Sequence, residues 1–181
     1  MKDKIMELTE KLEKELVELS EKIYENPELG HREHKSAKLH IDLLKRYGFQ
    51  VEENYMDIET GFRAEYDSKK EGPTVAFLVE YDALPGIGHG CGHNILGATS
   101  TGASIVLKGF IDEIGGKIVA FGTPAEETSG AKVVFVDEGA FDDIDFSMMA
   151  HPNFAYNRSG KSLALKPLEF EFTGKTSHAA A

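Results

Sequence analysis

Apolar side chains at Ile5, Leu8, Leu12, Leu16, Leu19 and Ile23 recur at steps of three and four, the stripe of an amphipathic helix that "ENPELG" brings to an end. A second helix is predicted from about Glu33 to Tyr47, with Ala37, Leu39, Leu43 and Leu44 inward and Gly48 as its C-terminal stop. His31, His34 and His40 lie on or near it among Lys, Arg and Glu, which predicts a solvated surface for all three. From Phe49 the period shortens. "FQVEENY" and "GFRAEYD" read as short strands, and "TVAFLVEYD" as a strand buried on both faces. "NILGATSTGASIVLKGF" is the next helix, crowded with small residues on one side, and "KIVAFGT" a second buried strand. "SGAKVVFVDEGAF" is predicted helical despite its valines, and "DFSMMAH" is a third strand. Strand alternating with helix predicts an α/β fold, a mostly parallel sheet flanked by helices with right-handed crossovers. The last piece, "SLALKPLEFEFTGKTSHAAA", alternates as a half-exposed antiparallel strand does and stops at Ala181 with a helix about to begin. The domain junction is therefore placed near Asn157 to Ser162, with residues 1–160 as one domain and 161–181 as the start of another.

Charge narrows the partners. Twenty Lys and Arg stand against 31 Asp and Glu, a net charge of -11, and no basic cluster offers phosphates a landing place. This reading excludes nucleic acid and anionic membranes. The N-terminal "MKDKIMELTEKLEKEL" is charged where a secretory signal needs an apolar run, and "TVAFLV" and "VVFV" are too short to span a bilayer, so a cytoplasmic chain is expected. The single Cys91 has no internal disulfide partner, which leaves it as core filler or as chemistry.

Ligands of an open parallel sheet gather beyond the carboxyl ends of its strands. Here the first buried strand delivers Asp82, His89, Cys91 and His93, the second Glu126 and Glu127, and the third His151. Cys-x-His places thiolate and imidazole on one side of an extended segment, a donor set for zinc or a similar metal. Adjacent carboxylates facing a cleft repel unless a cation or a shared proton relieves them, and metal sites that hydrolyse amides use one to bind and one to take a proton from water. Asp82 suits a carboxylate that orients a ligating imidazole through its other ring nitrogen, and His89 is either a supporting donor or an exposed turn residue. "GIGHGCG" fits no register of G-x-G-x-x-G, which removes dinucleotide binding. A Cys91 nucleophile with His93 as base would leave Glu126, Glu127 and His151 without a role.

With "DALP" at 82–85, "CGHN" at 91–94, "PAEE" at 124–127, His151 and "NPELG" at 26–30, the chain resembles the M20 metallopeptidases and amidohydrolases, specifically the amidohydrolase branch, over its whole length. The resemblance implies a zinc-peptidase-like catalytic domain followed by the first strand of an α+β lid and dimerisation domain. It also implies that Cys91, His93, Glu127 and His151 ligate a two-metal centre of Zn, Mn or Co, with Glu126 as general base and Asp82 in support. His178, in "GKTSHAA", would reach a partner's active site to stabilise the oxyanion, in a homodimer formed through the lid. Asn94, where the branch commonly has Asp, looks most like the subgroup of the aminobenzoyl-glutamate hydrolases and related dipeptide-cleaving proteins. The expected activity is metal-dependent hydrolysis of amide bonds in N-acyl amino acids or dipeptide-like substrates. The family is about twice this length and draws its last ligand, a histidine, from the far C-terminal part, so the chain is expected to be one part of such an enzyme and to have little activity alone. The alternative is a non-catalytic metal-binding or scaffold domain.

Overall fold

The computed structural model describes residues 1–156, 168 and 170–178. Two helices come first, α1 (Lys2–Glu25) and α2 (His34–Arg46), followed by strands β1 (Gln50–Glu53), β2 (Phe62–Asp67) and β3 (Thr74–Val79). Then come α3 (His93–Lys108), the single turn α4 (Ile111–Ile114), β4 (Lys117–Gly122), α5 (Ala131–Asp137) and β5 (Phe146–Met148). The strand order is β1-β2-β4-β3-β5. β3 lies parallel to both β4 and β5, the expected core, while β2 runs antiparallel to β4 and to β1.

Alternation along the strands divides the core in two. Ile118 and Ala120 of β4 join Phe62, Ala64, Phe77 and Val79 against Leu12, Leu19 and Ile23 of α1, Leu43 and Leu44 of α2, and α3. Val119 and Phe121 face the other way, onto Ala131 and Phe135 of α5 and onto Tyr55. The result is a sheet between two helical layers. The small residues of α3 allow close approach: a Cβ at Gly97 would lie 2.5 Å from the Glu80 carbonyl oxygen, and one at Gly102 would lie 2.6 Å from a Leu16 methyl.

His40 corrects one expectation. It is fully buried, with Nδ1 2.9 Å from Thr101 Oγ1 and its ring 5.5 Å from that of Tyr81. The nearest polar neighbours, Lys38 and Asp42, lie two residues away on the exposed face, whereas His40 shares the inward face with Ala37, Leu43 and Leu44. Burial lowers its pKa to about 3, so the imidazole is neutral. His31 and His34 are exposed, as expected.

Most of the strand expected after residue 161 lies outside the described residues, and residues 170–178 have no regular structure. Among the described residues, no helix is long and apolar enough to cross a membrane.

Candidate metal centre

β3 and β4 end in register, Val79 opposite Gly122, and Thr123 N–H donates to the Val79 carbonyl at 2.9 Å, so the loops after the two strands start side by side. The first loop runs from Glu80 through Cys91 into α3, whose first residue is His93. It is tied to the "NPELG" turn by Ala83 N–H donating to the Glu28 carbonyl at 2.8 Å. The Glu28 carboxylate in turn caps α2, accepting from the backbone N–H of Lys35 at 3.1 Å and of Ser36 at 2.9 Å.

His93 is almost completely buried. Its Nδ1 lies 2.8 Å from Asp82 Oδ1 and 3.0 Å from the Asp82 carbonyl oxygen. Two acceptors on that nitrogen require it to carry the proton, which in the neutral ring leaves Nε2 as the donor of a lone pair. Nε2 faces three carboxylates, at 3.3 Å from Glu80 Oε2, 3.8 Å from Glu126 Oε2 and 3.9 Å from Glu127 Oε1. Burial works to lower the His93 pKa, but Asp82, Glu80 and Glu126 outweigh it and hold it above the ordinary value. Asp82 is the converse. Burial works to raise its pKa, and the His93 ring together with the Glu127 N–H, 2.9 Å from Oδ2, brings it below the usual value. One carboxylate thus orients both His93 and the Glu127 backbone.

The second loop is held in an unusual shape. Ala125 has φ +61°, a left-handed conformation that costs a non-glycine residue on the order of 1 kcal/mol. Fully buried Glu33 fixes it: Oε1 accepts the Ala125 N–H at 2.8 Å, and Oε2 accepts the Thr60 hydroxyl at 3.0 Å. Burial raises the Glu33 pKa, against the lowering effect of these bonds. The strained turn is what presents Glu126 and Glu127 to His93.

The third loop arrives over Gly92, where φ is +76° and a Cβ would stand 2.9 Å from Pro152 Cγ. That close approach brings His151 against His93, ring centroids 5.6 Å apart and planes at 90°. His151 Nδ1 lies 2.8 Å from the Pro152 carbonyl oxygen. Two groups of side chains converge with ligand atoms all within 4.8 Å of one another: His93 with Glu126 and Glu127, and His93 with Glu80 and His151.

Cys91 joins through Glu127, whose carboxylate contacts the thiol. That contact, then burial, then the charges of Glu126 and Asp82 push its pKa up to about 11. The start of α3 therefore does not favour the thiolate by itself, and only a cation among these carboxylates would reverse the sign. His89 is buried rather than an exposed turn residue, and burial lowers its pKa. Asn94 faces away from the centre, its Nδ2 donating to Ser20 Oγ of α1 at 2.9 Å. His178 is exposed and is a member of neither ligand group.

Sequence reasoning missed Glu80, Lys132 and Glu33. Glu80 is wholly buried, and its Oε1 forms an ion pair with Lys132. Its Oε2 and His93 Nε2 are both buried without a hydrogen bond. Two acceptor atoms left unpartnered side by side, amid imidazoles, carboxylates and a thiol, fit a divalent cation. A carboxylate directly continuing the apolar strand "TVAFLV" was a legible signal for Glu80. Glu33, set in "HREHKS", gave none.

The cluster lies beyond the carboxyl ends of the parallel strands of a sheet held between helical layers, where ligands of such sheets gather. No protein-family model matches the chain. It is 34% identical over 178 residues to mouse Xaa-Arg dipeptidase, covering 90% of this chain and 41% of the relative. Against a subunit of the p-aminobenzoyl-glutamate hydrolase of Escherichia coli it is 33% identical over 183 residues, with 90% and 38% covered. A Staphylococcus aureus protein described as an aminohydrolase superimposes with a TM-score of 0.72 at 26% identity, over 81% of this chain and 41% of the other. A Bacillus subtilis dinuclear metal binding peptidase of the M20 family does so with a TM-score of 0.68 at 24% identity, over 76% and 42%. Over the part it shares with them, about two fifths of these relatives' length, the chain is similar to M20 peptidases and amidohydrolases.

Proposed function

We propose that the chain carries the metal-binding half of an M20-type amidohydrolase acting on N-acyl amino acids or dipeptide-like substrates. The observation that carries this reading is His93, whose Nδ1 is locked by Asp82 while its Nε2 looks onto Glu126 and Glu127. A purely structural site has no use for a second free carboxylate beside a ligand, and a hydrolase requires one.

In this reading Cys91, His93, Glu127 and His151 hold a pair of divalent ions, of zinc, manganese or cobalt, which suit a thiolate, imidazole and carboxylate set. When bound, such ions supply the Lewis acidity that polarises an amide carbonyl and lowers the pKa of a water toward neutrality. Asp82 keeps the proton on His93 Nδ1. Glu126, 39% exposed and the most open of the carboxylates around His93, takes a proton from the attacking water and returns it to the departing amine. His178 of the partner subunit donates to the carbonyl oxygen as it becomes an anion, within a homodimer built by a lid domain that begins near residue 161. The acidic composition supports a cytoplasmic setting without nucleic acid or anionic membrane partners.

The test compares wild type with Glu126→Gln in the intact enzyme, the chain supplied with the C-terminal part that its relatives carry, after loading with zinc, manganese or cobalt, measuring metal content and hydrolysis of an N-acetyl amino acid and a dipeptide. The expected result is unchanged metal content with turnover in the wild type alone, since the amide keeps the shape but accepts no proton. Metal binding with no turnover in either protein would favour the non-catalytic metal-binding domain, and loss of metal in Glu126→Gln would make Glu126 a ligand.

A further inference from the structure

We propose that Glu80 is a metal ligand, its Oε2 completing a three-donor site with a ring nitrogen of His151 and Nε2 of His93; this rests on the metal-centre reading above. The motif residues alone do not account for this group. Glu80 is 0% exposed, and a carboxylate removed from water costs several kcal/mol unless both oxygens are compensated. Lys132 compensates one. If the ion pair were the whole purpose of Glu80, the second oxygen would also be expected to find a donor. Instead Oε2 is unpartnered and stands 3.3 Å from an equally unpartnered His93 Nε2.

Since His93 Nδ1 carries a proton for Asp82, Nε2 and Oε2 are two lone pairs facing each other in a dry site. Only a proton between them or a cation beside them removes that repulsion. A shared proton serves two atoms, and here three converge. His151 brings a third donor atom within 4.8 Å of the other two, from a separate strand end. Its Nδ1 lies on the Pro152 carbonyl, which directs its proton there and leaves Nε2 as a lone-pair donor. Carboxylate and two imidazoles are a donor set of catalytic zinc sites, which keep a further position open. Lys132 then has a definite role, holding Oε1 so that Glu80 binds through one oxygen.

Cobalt(II), whose visible spectrum reports coordination, is the probe. The chain is titrated with cobalt(II) as wild type, Glu80→Gln, Glu80→His and Lys132→Gln, with circular dichroism to verify folding. For Glu80→Gln the expected result is loss of one bound cobalt or at least a roughly 100-fold weaker affinity, the upper end of what losing a supporting residue alone causes. Glu80→His should recover binding by supplying another donor, and Lys132→Gln should retain it. Unchanged stoichiometry with affinity within about 3-fold in Glu80→Gln overturns the proposal. So does equal loss in Glu80→Gln and Lys132→Gln without rescue by Glu80→His, which assigns Glu80 to the ion pair alone. Should a variant not fold, a crystal structure of the cobalt-loaded wild type decides: Oε2 at about 2.0–2.2 Å from the ion supports ligation, and more than about 3 Å refutes it. Wild type that takes up no cobalt overturns the metal-centre reading itself, a different outcome from a bound ion that Glu80 does not touch.

Discussion

Removing the Glu33 carboxylate should loosen the turn that carries both candidate catalytic carboxylates. Its two oxygens satisfy the Ala125 N–H at 2.8 Å and the Thr60 hydroxyl at 3.0 Å in a fully buried site. Two hydrogen bonds to a charged group contribute about 3–6 kcal/mol together, and relief of the carboxylate's own desolvation offsets part of that on deletion. Glu33→Ala is therefore expected to cost about 3 kcal/mol, or roughly 6–12 °C in Tm for a domain of this size. Glu33→Gln separates shape from charge, since its carbonyl can accept from Ala125 and its amide can donate to Thr60. The folded-state pKa of Glu33 is raised, so its protonated form is the one the fold favours. Its contribution to stability is complete below the unfolded value and declines as pH rises through the raised folded value. The stability of Glu33→Gln relative to wild type should accordingly improve as pH rises. Thermal melts of the three proteins measure the first effect, and urea unfolding between pH 4 and 8 the second. A Glu33→Ala protein within 1 °C of wild type, or a Glu33→Gln difference independent of pH, would refute the argument (Tm changes below about 1 °C correspond here to well under 1 kcal/mol).

Gly97→Ala should destabilise more than Gly102→Ala by thermal melting. The first Cβ meets the Glu80 backbone carbonyl at 2.5 Å and His40 Nε2 at 2.8 Å, whereas the second meets only the tip of Leu16 at 2.6 Å, which can rotate away. For His40, the folded pKa of about 3 lies well below the unfolded value of about 6.5. Stability from the neutral ring is complete above the unfolded value and is lost as pH falls toward the folded one, at about 1.4 kcal/mol per pH unit between them. His40→Asn should remove that slope, and parallel pH profiles for the two proteins would contradict it. Lys132→Met should destabilise the metal-free chain by about 3–5 kcal/mol by stranding the buried Glu80 carboxylate, and adding Glu80→Gln should restore most of the loss in denaturant melts.

Periodicity carried most of the fold. The stripe from Ile5 to Ile23 and the runs "TVAFLV" and "KIVAFG" each became the expected element, because burying apolar surface dictates them locally. The antiparallel attachment of β2 to β4 was not legible, since a strand's polar edge does not state its neighbour. Nor was the burial of His40. A helix face among lysines looks solvated until α3 covers it at Thr101. At the site, short motifs after apolar strands brought out Asp82, His93, Glu126, Glu127 and His151, which do meet. Glu33 was invisible because its partners, Thr60 and Ala125, lie 27 and 92 residues away. Non-local hydrogen bonds of this kind leave no period in a sequence.

The central claim is that the three strand ends hold a metal through Cys91 and the histidines. X-ray absorption spectroscopy of the zinc-loaded wild-type chain tests it most directly. The expected spectrum contains one sulfur at about 2.3 Å together with imidazole nitrogen at about 2.0–2.1 Å, the sulfur being absent in Cys91→Ser. A shell of oxygen alone at about 2.0–2.2 Å, identical in the two proteins, would mean that zinc sits on surface carboxylates and that the centre is not one.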